Sequence, residues 1–459
     1  MEHPELFDIE KSNRPDLHLV DCSDVKQGAL GDCYLMGALS VLATNQEALL
    51  GIFPYANGST QKYNEEGCYA VRFYRGTSLR IVVVDDYIPC DSIGRPCFAQ
   101  VPAGNDFWCM IVEKAFAKLH GSYEGIIGGH TNEALQALTG GVPITIRMHS
   151  GGFEKLAIKK NKKSTEERIW TLLDEITQTE HGNFFAGCSK DSNKSPSNYI
   201  INKRSYKILA KHAFSIMKLD ILDEGKGKEK TKMIQLRNPW GQDQIWDGPY
   251  GPKDVNHWNK ISVSERKRFG MMKNKDDDDD DSGTINKDDG TWWMSFHDFW
   301  GQFDEISLCQ KFVGYQQHHI VGEWINDNAG GFKNPQLCPQ YQLDVSEDCH
   351  LIVELRQRHP AAVGGQGRIG GGDCEDDEWM YIAPLVCYGG IKGQRMIEFS
   401  DTRIECINGG DHGAAIKSNV VQCYIKANQG PFIIVPLGKE NISSTYYLDI
   451  HTSSPSTIT

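Results

Sequence analysis

The stretch from Cys33 to Leu42 constrains this chain more than any other. Leu35, Met36, Leu39 and Leu42 recur at steps that fall on one face of a helix. Gly31 and Asp32 stand immediately before that run, and an acidic residue there suits a helix N-terminus. The pattern predicts a helix within residues 27–43, with Cys33 in its first turn. Unpaired N–H groups and the positive end of the helix dipole favour a thiolate at that place. A lone cysteine is more often a packing residue than a reactive one. The reading of Cys33 therefore depends on partners elsewhere in the chain.

Composition narrows the classes. A chain of 459 residues predicts two to four domains. The net charge of -13 argues against a general nucleic-acid or anionic-membrane binder. The 14 cysteines are scattered, with no Cys-x-x-Cys pair, which fits reduced thiols rather than a disulfide framework or a zinc site. No apolar run is long enough to span a membrane, and Met1–Glu10 lacks the apolar core of a signal peptide. A cytoplasmic protein is expected.

Along the chain, residues 1–26 read as a polar lead-in. Residues 27–140 carry the cysteine helix, strand-like runs at 69–74 and 79–84, and a helical pattern from Phe107 to Leu119. Gly140-Gly141 reads as a hinge. Residues 141–309 hold a helix-like run at 169–176, strand-like runs at 213–219 and 233–236, and an acidic run from Asp276 to Asp281 that reads as a solvated insertion. From 310 to 459 short β-rich runs recur between turns, which predicts an antiparallel β-sandwich. An acidic loop at 373–378 interrupts it. The expected fold class is α+β.

A cysteine nucleophile needs a base that takes its proton and a third group that orients the base. His212 opens the strand-like run Ala213 to Leu219, and Asn238 follows the run that ends at Leu236. Adjacent antiparallel strands would set His212 beside Asn238, with Trp240 shielding their hydrogen bond. Gln27, six residues before Cys33, can donate an amide N–H to an oxyanion beside the backbone N–H of Cys33.

The order Gln, Cys, His, Asn is papain-like, and the motifs go further. Gln27 to Cys33, His212-Ala213-Phe214-Ser215 and Asn238-Pro239-Trp240-Gly241-Gln242 resemble the three catalytic motifs of the calpain family of cysteine proteases. Gly104 to Trp108, Asp288 to Gly290, Trp293 to Phe296, Glu323-Trp324 and Asn334-Pro335-Gln336 are also similar to that family. The resemblance implies a papain-like core of two lobes followed by a β-sandwich domain, and limited proteolysis of protein substrates. It also implies calcium as cofactor, closing the lobes and assembling Cys33, His212 and Asn238. Asp24 and Asp106 fall where the family has calcium ligands in the first lobe, and Asp289 where it has one in the second. Thr291 stands where a second-lobe carboxylate is expected, so that site is expected to be weak, rebuilt or absent. Tyr34 replaces the usual tryptophan after the nucleophile, which predicts altered packing. No EF-hand loop occurs, so no small subunit is expected. The sandwich is a candidate phospholipid-binding surface. The competing reading is a catalytically silent regulator that binds proteins or membranes through that sandwich. Acyl transfer of the transglutaminase kind uses an Asp as third member, which Asn238 does not match.

Overall fold

The computed structural model describes residues 22–54, 66–75, 78–100, 107–148, 165–177, 184–190, 199–201, 204–206, 208–225, 227, 229–241, 246–271, 289–357, 380–399, 414–415, 418–440 and 443–459. Asp106, residues 242–244, the acidic run 276–281 and the acidic loop 373–378 lie outside these. Among the described residues the chain divides into two compact units, the first comprising those up to Gly140 and from Thr145 to Cys309, the second Gly141–Ile144 together with those from Gln310 to Thr459. Residues 27–140 and the larger part of 141–309 both fall within the first unit.

Helix α1 (Cys33–Leu42) lies at the centre of the first unit. Every residue from Tyr34 to Leu42 is buried, so the helix expected from the sequence is a core helix enclosed on all sides. Around it stand helix α2 (Trp108–His120), helix α3 (Thr131–Thr139) and a six-stranded sheet. A two-stranded antiparallel ribbon, β1 (Cys68–Arg75) and β2 (Ser78–Asp85), puts Tyr69, Val71 and Phe73 into the same core. Gly140 ends α3. It caps α3 in the left-handed conformation with φ of 72°, which glycine adopts without strain.

The six strands are β3 (Val142–Arg147), β4 (Phe184–Lys190), β5 (His212–Leu222), β6 (Thr231–Arg237), β7 (Thr291–Ser295) and β8 (Glu305–Gln310). Their order across the sheet is β3-β8-β4-β5-β6-β7. β4, β5, β6 and β7 pair antiparallel, with one irregularity between Ile216 and Lys218. β5 begins at His212 and packs on α1, where Ser215 Oγ donates to Gly37 O at 2.9 Å. Tyr34 reaches away from the sheet and its hydroxyl donates to Ile126 O. A side chain at Gly129 would come within 2.7 Å of the Tyr34 ring, so the aromatic change is absorbed by close backbone approach.

The second unit is two antiparallel sheets. One, of four strands, comprises Gln316–Trp324, Ser444–Thr452, Cys349–Gln357 and Ser418–Ile425 in that order. The other, of five, places Tyr381–Cys387 and Tyr341–Val345 on either side of Phe432–Leu437. Leu351, Val353, Leu355, Leu448 and Ile450 of the first sheet share one core with Leu343, Val386 and Ile434 of the second. Alternate residues of each strand supply that core, as a sandwich requires. The strand Gln316–Trp324 escapes the sequence pattern because its register is polar and it lies at a sheet edge, exposed over much of its length.

Candidate active site

The segment before α1 is fixed by neighbouring backbone. Ala29 N–H donates to Cys97 O, and Gln100 N–H donates to Lys26 O at 2.8 Å. Between them Gly28 passes so close that a Cβ would sit 1.8 Å from Phe98 O, a distance no side chain can occupy. Gly28→Ala is therefore expected to push residues 26–29 away from residues 97–100. Peptide hydrolysis should fall at least about tenfold, with a lowered unfolding temperature. Full activity at the wild-type melting temperature would refute the account of this segment.

Gln27 is buried and oriented by three hydrogen bonds. Its backbone N–H donates to Pro239 O, its Nε2 donates to Leu30 O at 2.7 Å, and its Oε1 accepts from Trp240 Nε1 at 2.7 Å. An indole N–H can only donate and a carbonyl can only accept, so the amide orientation follows from the partners. One amide N–H is spent on Leu30, which leaves the second for a ligand.

His212 and Asn238 meet as adjacent antiparallel strands require. His212 Nε2 lies 2.8 Å from Asn238 Oδ1. The same Oδ1 accepts the backbone N–H of Trp240 at 3.1 Å, which fixes it as the acceptor. His212 must then carry its proton on Nε2, and the neutral ring presents Nδ1 as its basic atom. The Trp240 ring lies 4.4 Å from the imidazole and Phe214 stands edge-on at 4.8 Å. Burial lowers the His212 pKa, and the bond to Asn238 opposes that shift. Lys211, just before it, takes a left-handed φ of 54°, a turn that admits few non-glycine residues without strain.

Cys33 is the first residue of α1 and is partly exposed. Burial pushes its thiol pKa up. The Ala213 N–H, one residue from His212, opposes that rise, while the charge of Asp32 adds to it. The helix terminus therefore does not by itself produce a thiolate: desolvation outweighs it. Asp32 does not cap the helix through its side chain either. With the thiol raised and the imidazole lowered, the neutral forms of both are favoured.

Sequence reasoning did not find Arg237. It is buried, and it ties the nucleophile segment to the histidine sheet. Its Nη1 donates to Ser40 Oγ at 2.6 Å, its Nη2 to Val25 O at 2.7 Å and its Nε to Asp289 O at 2.9 Å. Gly290 follows with φ of 80°, and a Cβ there would lie 2.6 Å from Asn238 O. The Asp289-Gly290 turn thus supports the residue that orients His212.

Of the acidic residues expected to hold calcium, Asp24 is buried in a short 3-10 turn, with its carbonyl facing Cys109 Sγ. Asp106 lies outside the described residues. Asp289 Oδ1 accepts both the backbone N–H and the hydroxyl of Thr291, at 2.9 and 2.6 Å. Among the described residues no three His, Cys, Asp or Glu side chains converge on one point.

Comparison with known proteins gives the family. A model of the calpain family cysteine protease domain matches residues 8–310. The chain is 34% identical over 360 residues to the calpain-type cysteine protease DEK1 of Zea mays, covering 76% of this chain and 15% of that protein. It is 29% identical over 384 residues to calpain-5 of Caenorhabditis elegans, covering 76% of this chain and 56% of the relative. Calpain-9 of Rattus norvegicus matches at 30% over 357 residues, 73% of this chain and 46% of that protein. The chain thus spans between 15% and 56% of the length of these relatives. The family match covers more than half the chain and spans Cys33, His212 and Asn238. The chain belongs to the calpain family of cysteine proteases.

Proposed function

We propose that this chain is a cysteine endopeptidase that cleaves protein substrates through Cys33, His212 and Asn238 and depends on calcium. The observation that carries the reading is the bond from His212 Nε2–H to an Asn238 oxygen whose orientation Trp240 sets. It leaves Nδ1 as the base of a residue whose neighbour, Ala213, faces the Cys33 sulfur. In the reaction the Cys33 sulfur attacks the peptide carbonyl carbon while its proton passes to His212 Nδ1. The oxyanion receives the second amide N–H of Gln27 and the backbone N–H of Cys33. The carbon–nitrogen bond then breaks, and Nδ1 returns the proton to the leaving amine. Water attacks the resulting thioester with Nδ1 taking its proton, and the acid leaves as the Cys33 thiol is restored.

A carboxylate oxygen such as that of Asp24 is the donor type that suits calcium. Asp24, with Asp106, would hold it in one site. Asp289 would serve a second, weaker site, because its carboxylate is already hydrogen-bonded by Thr291. Bound calcium would supply the positive charge that draws these carboxylates together.

The test is covalent. A peptidyl epoxide incubated with the purified protein in millimolar calcium should modify Cys33, read by mass spectrometry, and a protein substrate should be cut under the same conditions. A chelator should suppress both. Absence of labelling and cleavage in calcium would overturn the peptidase reading. Undiminished cleavage in the chelator would overturn the calcium dependence alone.

A further inference from the structure

Two carboxyl groups are buried beside the nucleophile, and the mechanism above uses neither. Asp32, immediately before Cys33, is 0% exposed, and Glu113, in the middle of α2, is 2% exposed. Both oxygens of Glu113 lie within hydrogen-bond distance of the backbone N–H of Ala99, at 3.0 and 3.1 Å. Ala99 belongs to the segment 97–100 that holds residues 26–29 in place. Neither oxygen of Asp32 has a hydrogen-bond donor among the described residues other than the backbone N–H of Asp32 itself. The carboxyl it interacts with is that of Glu113. Two carboxylates cannot bond to each other unless one keeps a proton, and an unpaired buried carboxylate is strongly destabilising.

We propose that Asp32 and Glu113 share a single proton, and that the pair positions the segment Lys26–Ala29, with its Gln27 amide, against Cys33. Glu113 holds the 97–100 segment through Ala99, and the shared proton holds Glu113 to the first turn of α1. The two are positioning residues for the reaction. The inference rests on the peptidase reading for the role of Gln27, but the pair itself does not. Burial raises the pKa of both groups, and the charge of Asp32 raises Glu113 further. The other titratable groups that feel the pair are Cys33 and Tyr34 on α1, Cys109 on α2, and Tyr123. None of these is a cation, so a proton rather than an ion pair must satisfy it.

Two amide variants separate the proton from mere packing. In Glu113→Gln the amide can still accept from Ala99 and donate to Asp32, fixing the negative charge beside Cys33. In Asp32→Asn the amide donates to Glu113, fixing the same charge one side chain farther away. Both variants have the same net charge. Alkylation of Cys33 by iodoacetamide, followed across pH by mass spectrometry of its peptide, should reach half-maximal rate at lower pH in Asp32→Asn. The expected difference from Glu113→Gln is about half a pH unit to one unit. Glu113→Leu, which can neither donate nor accept, should have a kcat at least about tenfold below that of Glu113→Gln, with KM changed less. Equal alkylation midpoints in the two amide variants, or equal kcat in Glu113→Leu and Glu113→Gln, would overturn the proposal. If Glu113→Leu does not fold, the alkylation comparison decides alone. If the wild-type protein cleaves no peptide, that comparison still reads the pair, and only the peptidase reading fails.

Discussion

Cys33→Ala should reduce peptide hydrolysis by on the order of 10⁴-fold or more, and His212→Ala should cost about as much. The double variant should be no worse than the weaker single one. The reason is that the sulfur and Nδ1 act on one proton in one step, so removing either leaves the other without a task. Asn238→Ala should cost less, about 10² to 10³-fold, because it releases the ring rather than removing the base. The measurement is kcat/KM on an unfolded protein substrate, with circular dichroism to confirm that each variant keeps its fold. Additive losses for Cys33 and His212 would mean that they do not work as a unit.

The pH profile carries a sign that follows from the site. His212 must be neutral at Nδ1 to take the thiol proton, and burial holds its pKa below the usual value of about 6.5. The acid limb of kcat/KM should therefore have its midpoint below that of a free histidine. Asn238→Ala removes the bond that opposes the shift, so it should move the midpoint lower still. The same direction applies to stability. The unfolded chain takes up the proton first, so the contribution of neutral His212 is fully present above about pH 6.5. It is lost as pH falls from there through the lower folded pKa.

The sequence displayed Cys33, His212, Asn238 and Gln27 because the motifs that carry them have fixed spacing and a fixed residue type. Most of the elements around them were also legible, since β5 and β6 are apolar runs bounded by turn residues and α2 has a helical period. What was hidden depended on burial. The helix dipole at Cys33 is a local feature and can be read from sequence. The desolvation that outweighs it is set by β5 packing on α1, residues far away in the chain. Glu113 lay in plain view within a helix whose apolar residues surround it, and a carboxyl in a helix buried on all sides was the available signal. Asp32 looked like a helix cap because its position fits one, yet its side chain turns inward to Glu113. Arg237 stands next to Asn238 and gave no signal, because nothing local says that its guanidinium crosses to Ser40 and Val25.

That crossing makes Arg237→Met the substitution with the largest expected effect on stability, about 3 to 5 kcal/mol. Methionine fills much of the volume and removes the charge, so the loss is not a cavity. It comes from three acceptors, Ser40 Oγ, Val25 O and Asp289 O, that lose a charged donor. Buried acceptors without donors cost about 1 to 3 kcal/mol each before relaxation. Arg237→Lys should recover part of the loss, since one ammonium reaches fewer than three divergent oxygens. Urea unfolding at neutral pH measures both variants. A change under about 1 kcal/mol for Arg237→Met would show that the contacts are replaceable. The effect should reach the chemistry as well. Asn238 follows Arg237 directly, and Val25 and Ser40 flank the Gln27–Cys33 segment on either side. Loss of the guanidinium therefore loosens the nucleophile segment and the histidine-orienting residue relative to each other. Arg237→Met assayed well below its melting temperature should lose kcat while KM changes little, because what is lost is the alignment of Cys33 with His212 rather than a contact to substrate.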